Sequence, residues 1–206
     1  MKQNIIIVDN FYQNPDEIRN IALKKEYPEP EEEFTYPGKN SKGSYYSKEL
    51  HEKFERVVNK KLDPADQNGY FRISLEKDTH KQDIHVDPSW DWGAVIYLTL
   101  PEHCVDEGGT SFWKHNTLGM EMCPKNDLQA RHYGYPTYKE AWWTTIYGDG
   151  QDRSKWSQYF SSPMRYNRMV MLRTYLWHSH SYNFGQNLNN GRLVQLFFFN
   201  ENEKNV

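Results

Sequence analysis

The residues able to do chemistry begin with Asp83-Ile84-His85-Val86-Asp87-Pro88, where a histidine and an aspartate stand two apart. In a strand, alternate side chains leave by the same face, so His85 and Asp87 can meet one ion together. Far downstream come Leu176-Trp177-His178 and then Gly191-Arg192-Leu193. Two imidazoles and one carboxylate form the facial triad that binds non-haem iron(II) and leaves positions open for substrate and oxygen. A planar guanidinium beyond them can grip a carboxylate through two parallel hydrogen bonds. The set His85, Asp87, His178 and Arg192 therefore suits one iron and one dicarboxylate.

Each member has a plainer alternative. His-x-Asp also occurs as a surface histidine before an Asp-Pro turn. His180 would share a face with His178 and competes for the same role. The apolar run Tyr175-Leu176-Trp177 sets His178 deeper in its strand, whereas His180 nears the polar exit Ser181-Tyr182-Asn183. The pattern therefore favours His178 as the ligand over His180, which is otherwise an exposed residue or one that positions a ligand or substrate. By alternation Arg192 shares a face with Val194, Leu196 and Phe198. A buried cation there needs an anionic partner, either a structural acid or a ligand carboxylate. Tyr97, inside Val95-Ile96-Tyr97-Leu98-Thr99, is either a core tyrosine or a second donor to that carboxylate. Trp90 and Trp92 either wall the metal pocket or pack a loop. His51, His80, His103, His115 and His132 have no comparable setting and read as surface residues.

The elements that would position these residues follow from pattern. Residues 5–8 read as a strand. Asn14-Pro15-Asp16-Glu17 reads as a helix start with capping-box spacing, running to about Lys25 with Ile18, Ile21 and Ala22 on its apolar face. Pro28 and Pro30 end it, Glu29 to Glu33 form an acidic loop, and Tyr36-Pro37-Gly38-Lys39 is a turn. Ser47 caps a second helix carrying Leu50, Phe54, Val57 and Val58. Strands are expected at residues 70–75, 94–100, 109–113, 168–172, 175–179 and 192–200. Residues 115–165 show no clean period, with a short strand or helix at 141–147 and a short helix at 154–159. An ordered connection this long is usually functional.

The whole is expected to be a single domain of 206 residues. A helical layer over residues 14–62 would precede a strand-rich core over 69–200, with an insert at 115–165. The fold class is mainly β with N-terminal helices (α+β), and a two-sheet jelly roll suits the strand number. Net charge is −3, from 25 basic and 28 acidic residues, so the chain has no nucleic-acid footprint. No apolar run reaches the ~18 residues of a membrane span. The apolar start is too short for a secretory signal, and a cytoplasmic location is expected. Aromatic residues make up 16% of the chain, which suits both a strand-rich core and an aromatic-lined pocket. Cys104 and Cys123 could pair, but two cysteines alone do not mark an oxidising compartment.

His85-Val86-Asp87, Val95-Ile96-Tyr97-Leu98-Thr99, Gly108-Gly109-Thr110-Ser111-Phe112, His178 and Arg192 occur in this order. In that order the chain resembles the 2-oxoglutarate/Fe(II)-dependent oxygenase superfamily over about residues 5–200. The Tyr-Leu and Gly-Gly-Thr-x-Phe segments resemble its prolyl-hydroxylase-like branch. The opening Val8-Asp9-Asn10-Phe11-Tyr12 with Asn14-Pro15 resembles uncharacterised bacterial and phage-borne members. The resemblance implies a double-stranded β-helix of cupin-like form, with Fe(II) held by His85, Asp87 and His178. It implies 2-oxoglutarate as co-substrate, gripped by Arg192 with Tyr97. Dioxygen and a small molecule or protein side chain would be the other reactants, and hydroxylation with release of succinate and carbon dioxide the outcome. Two features depart from the pattern: the long gap from His178 to Arg192, and an insert that matches no substrate class. The competing readings are a cupin-type metalloenzyme without 2-oxoglutarate and a non-catalytic jelly-roll binding module.

Overall fold

The computed structural model describes residues 3–29, 37–78, 82–180 and 182–202. Residues 30–33 of the acidic loop, Tyr36, His80 and Ser181 lie outside them. In chain order the elements are β1 (Ile5–Val8), α1 (Pro15–Leu23), β2 (Lys39–Ser44), α2 (Lys48–Val58), β3 (Leu62–Pro64), β4 (Tyr70–Ser74) and β5 (Trp92–Tyr97). They continue with β6 (Thr110–His115), α3 (Asp127–His132), α4 (Tyr138–Trp143), β7 (Trp156–Ser162), β8 (Met169–Arg173), β9 (His178–His180) and β10 (Arg192–Glu201).

The strands form two antiparallel sheets. The larger has the order β1-β8-β5-β10-β4-β2, with β3 pairing β10 beyond that path. The smaller has the order β7-β6-β9. Alternation along β10 divides the core. Leu193, Phe197 and Phe199 point to one face, where they meet Ile18 and Ala22 of α1 and Leu50, Phe54 and Val58 of α2. Val194 points to the other, where Val95, Tyr97, Val170 and Leu172 meet Phe112 of the small sheet. Helices thus cover the outer face of the large sheet and the small sheet covers its inner face. Burying a side chain such as Phe54 stabilises this layer by roughly 1.5–3 kcal/mol.

The two helix starts differ. Ser47 accepts a hydrogen bond from the Leu50 amide at 3.1 Å and caps α2. Asn14 makes no side-chain cap bond, so the box expected with Glu17 does not form, and Pro15 alone sets the start of α1. β2 and β3 were not expected from the sequence. The 154–159 segment, read as a helix, is a short 3-10 turn at Arg153–Lys155 followed by β7, because its residues pair along β6. Residues 141–147 are helical, with α4 running into a π-helical turn at Thr144–Asp149. The expected 175–179 strand narrows to β9. Cys104 and Cys123 are both free thiols.

The insert is an ordered platform. Ile84 and Val86, which alternate with His85 and Asp87, pack on Trp113, Ile146, Trp156 and Trp177. Arg153 holds Asp83 through two bonds of 2.5 and 3.0 Å. The Ile84 amide donates to the Gly150 carbonyl at 3.0 Å. His115, read as a surface residue, is 3% exposed and bonds Asp149 at 3.1 Å, which secures the π turn.

Candidate metal and dicarboxylate site

The His-x-Asp segment is extended but forms an isolated bridge rather than a strand. His85 and His178 stand directly opposite, with amide-to-carbonyl bonds of 2.9 and 3.0 Å in both directions. Directly paired residues present their side chains to the same face, and the two rings lie 4.4 Å apart between centroids. Asp87 is held on that face by its amide bond to the Thr174 carbonyl at 3.0 Å. One ligand atom from each of His85, Asp87 and His178 lies within 4.8 Å of the others.

The imidazoles are oriented for coordination. His85 Nδ1 bonds the Asp83 carbonyl and His178 Nδ1 the Leu176 carbonyl, each at 2.8 Å. A carbonyl can only accept, so both Nδ1 atoms carry hydrogen. With Nδ1 so engaged, the Nε2 of a neutral ring keeps its lone pair for a metal. His178 Nε2 lies 3.3 Å from Asp87 Oδ2. Burial, and then the neighbouring His178, pull His85 down from 6.5 to about 4, which keeps it neutral. Burial pushes the Asp87 carboxyl up, but the neighbouring imidazoles and the Arg72 cation pull it down further. Its carboxyl is held below the usual range and stays ionised. A carboxylate beside imidazole Nε2 atoms whose Nδ1–H groups are already engaged is the donor arrangement that a divalent metal requires. The donor set thus fits an iron(II) ion.

These three residues open into a cavity of about 180 Å³. Arg192, Val194, Leu196 and Phe198 all line it, so the face read from alternation along β10 is the face observed. Arg192 is 5% exposed, and its Nε donates to the Gly108 carbonyl at 2.8 Å. A Cβ on Gly109 would collide with the Ser162 carbonyl oxygen, so glycine is required where this turn approaches β7. Among the described residues no carboxylate pairs with Arg192. Burial pulls its guanidinium down from 12.5 to about 10, with Tyr97 opposing the fall and Arg72 adding to it.

The other assigned residues fall around this cavity. Thr110, rather than Tyr97, lines it, and the Tyr97 hydroxyl bonds Thr110 Oγ1 at 2.7 Å. The Tyr97 ring lies 5.9 Å from the Arg192 guanidinium carbon. His180 lines the cavity without joining the three-residue cluster. Trp92 packs away from it in the outer core, beneath Arg173. Trp90 lines an adjoining cleft. Arg72 was missed: it lines the cavity, and its Nε donates to Asn40 Oδ1 at 2.7 Å. The signal was the alternation in β4, where Phe71 and Ile73 face the helices and Tyr70, Arg72 and Ser74 face the cavity.

A model of a family of unknown function, DUF6445, matches residues 1–199. The chain belongs to the DUF6445 family. No curated protein matches this DUF6445 chain in sequence. Among solved structures it is similar to HygX from Streptomyces hygroscopicus with nickel and 2-oxoglutarate bound. The TM-score is 0.56 at 12% identity, over 97% of this chain and 84% of that one. It is also similar to SnoK, an alpha-ketoglutarate-dependent carbocyclase from nogalamycin biosynthesis. There the TM-score is 0.54 at 12% identity, over 96% and 80%. A prolyl hydroxylase from Trichoplax adhaerens matches with a TM-score of 0.50 at 9% identity, over 96% and 84%. At these identities the likeness is one of fold: two antiparallel sheets with few helices, consistent with the jelly roll of 2-oxoglutarate oxygenases. No helix among the described residues is long and apolar enough to cross a membrane.

Proposed function

We propose that this DUF6445 protein is an Fe(II)- and 2-oxoglutarate-dependent oxygenase built on a double-stranded β-helix. The observation that carries this reading is one cavity with the His85/His178 pair and an ionised Asp87 at one side, and a buried Arg192 with no acid partner among the described residues at the other. His85, Asp87 and His178 would hold the iron through Nε2, a carboxylate oxygen and Nε2. Arg192 would receive the far carboxylate of 2-oxoglutarate, a partner for a charge that has no acid among the described residues. Tyr97 contributes through Thr110: its hydroxyl fixes the Thr110 hydroxyl that lines the cavity, and its ring flanks the Arg192 guanidinium. The Asp83 and Leu176 carbonyls fix the tautomers of the two ligating histidines.

With 2-oxoglutarate and dioxygen, the bound iron would supply oxidative decarboxylation to succinate and carbon dioxide and oxidation of a substrate, most simply by hydroxylation. The chain's own part is to position the reactants, complement their charge and exclude water from a cavity walled by Val95, Leu172, Val194 and Leu196. The Gly108-Gly109-Thr110-Ser111-Phe112 segment supports a place near the prolyl-hydroxylase-like branch. Arg192 separates this reading from a cupin-type enzyme that handles no dicarboxylate.

Calorimetric titration of the nickel-loaded protein with 2-oxoglutarate and with glutarate, which lacks the keto group, tests it. Chelation together with the Arg192 grip predicts saturable binding of 2-oxoglutarate and weaker binding of glutarate. Equal affinity, or none, would overturn the proposal.

A further inference from the structure

A second cleft of about 220 Å³ adjoins the metal cavity and shares Asp87 and Phe198 with it. Its walls come from different parts of the chain. Trp90 follows the His-x-Asp segment and pairs with Phe198 at 6.3 Å between ring centroids. Trp142 and Tyr147, from α4 and the π-helical turn, line it as well. The exposed Trp143 links them, 5.4 Å from Trp142 and stacked on Tyr147 at 4.6 Å. Rings therefore touch within each wall, but among the described residues no ring contact bridges the two.

Two polar groups at this cleft lack partners. Gln82 is 5% exposed and lines the cleft, and its side-chain amide makes no hydrogen bond among the described residues. The Nε1 of Trp142 is buried without a partner. A buried indole N–H such as that of Trp142 is usually hydrogen-bonded, and leaving one unpaired costs about 1–3 kcal/mol, whereas the Gln82 amide is left to bond whatever fills the cleft. An occupant with a flat apolar body and a hydrogen-bonding edge would satisfy both the rings that line the cleft and the amide. A cation would suit the rings alone, but it would sit against a divalent metal at Asp87.

We propose that this cleft is the substrate subsite and that it takes a planar aromatic ring with a polar edge, of the phenol or indole class. Trp90, Trp142 and Tyr147 stack on the ring and Gln82 bonds its edge. The proposal rests on the metal-site reading only in calling the ligand a substrate. Ring binding itself is independent of the metal.

The test uses ligand-detected NMR on the full chain, without metal and then loaded with cobalt(II). The probes are p-cresol and indole, with cyclohexanol as a non-planar control and tetramethylammonium as a cationic one. p-Cresol and indole should saturate with Kd on the order of 1 mM, as expected for fragments of this size. Binding should weaken about tenfold in Trp142→Leu and less in Tyr147→Ala, in line with the strength of single aromatic contacts. Tyr147 is 56% exposed, so its truncation leaves the fold intact. Gln82→Leu should weaken p-cresol while sparing its methyl ether. Cobalt should broaden the bound ring's signals in the parent and not in Asp87→Ala. Equal binding of cyclohexanol, tighter binding of tetramethylammonium, or unchanged affinity in the variants would overturn the ring proposal. Ring binding with no cobalt uptake would sustain it and overturn the metal-site reading instead.

Discussion

Replacing Arg192 by Met separates a ligand-binding role from a structural one. Arg192 is 5% exposed and, among the described residues, its guanidinium has one hydrogen bond, to the Gly108 carbonyl. Holding that charge in the cavity pulls its pKa from 12.5 to about 10. The corresponding cost to the ligand-free fold is on the order of 3 kcal/mol at neutral pH. It is present in full below the folded value of about 10 and fades as pH rises through it, because the unfolded chain stays protonated longer. Methionine keeps an apolar stem and removes the charge, while the Gly108 carbonyl loses its donor at about 1–3 kcal/mol. The two effects oppose, so urea unfolding of ligand-free Arg192→Met should shift by less than about 1.5 kcal/mol. Affinity for 2-oxoglutarate should respond very differently. Loss of a charge-assisted, desolvated grip costs about 2–4 kcal/mol, or roughly 30- to 1000-fold in Kd by calorimetry. A destabilisation above about 3 kcal/mol with unchanged 2-oxoglutarate affinity would refute the reasoning and make Arg192 a structural cation.

Other consequences are simpler to check. Asp87→Ala should abolish 2-oxoglutarate turnover and remove the thermal stabilisation that nickel gives the parent, since only the native site binds the ion; retained stabilisation would exclude Asp87 as a ligand. Ser47→Ala should cost about 1 kcal/mol in urea unfolding and Asn14→Ala close to nothing, because only Ser47 makes a cap bond; equal losses would contradict this difference. Burial pushes the Cys123 thiol up to about 12, so at pH 8 its thiolate fraction is about 10⁻⁴ and iodoacetamide should modify it only through unfolding; rapid alkylation of the folded protein, or a Cys104–Cys123 disulfide, would be inconsistent with the structure.

The inner part of the fold was more legible than its edges. β8 and β10 are apolar or alternating runs whose pattern is their burial, and β1 was legible as an apolar run although it lies at the edge of the large sheet. β2, with the sequence Lys-Asn-Ser-Lys-Gly-Ser, pairs only with β4 and carries no such pattern, so it was invisible. β7 lies at the edge of the small sheet with Ser157 through Phe160 exposed, and its mixed surface resembled a helix. At the site, the cluster of His85, Asp87 and His178 and the inward face of Arg192 follow from spacing and alternation. The His-x-Asp segment is fixed by one bridge and by the insert rather than by a strand of its own, which depends on tertiary contacts that spacing does not encode. His115 shows the same limit, since its burial comes from Asp149 and Trp156, brought back by the insert. Arg72 could have been read from the alternation of β4, had its register with β10 been known.

The central claim is that one cavity binds iron through His85, Asp87 and His178 and a dicarboxylate through Arg192. The most direct test is anaerobic titration of the iron(II)-loaded protein with 2-oxoglutarate, following the visible metal-to-ligand charge-transfer band. The account predicts a saturable band, absent in Asp87→Ala and displaced to much higher 2-oxoglutarate concentration in Arg192→Met. Bound iron with no band, or a band that saturates identically in Arg192→Met, would contradict it.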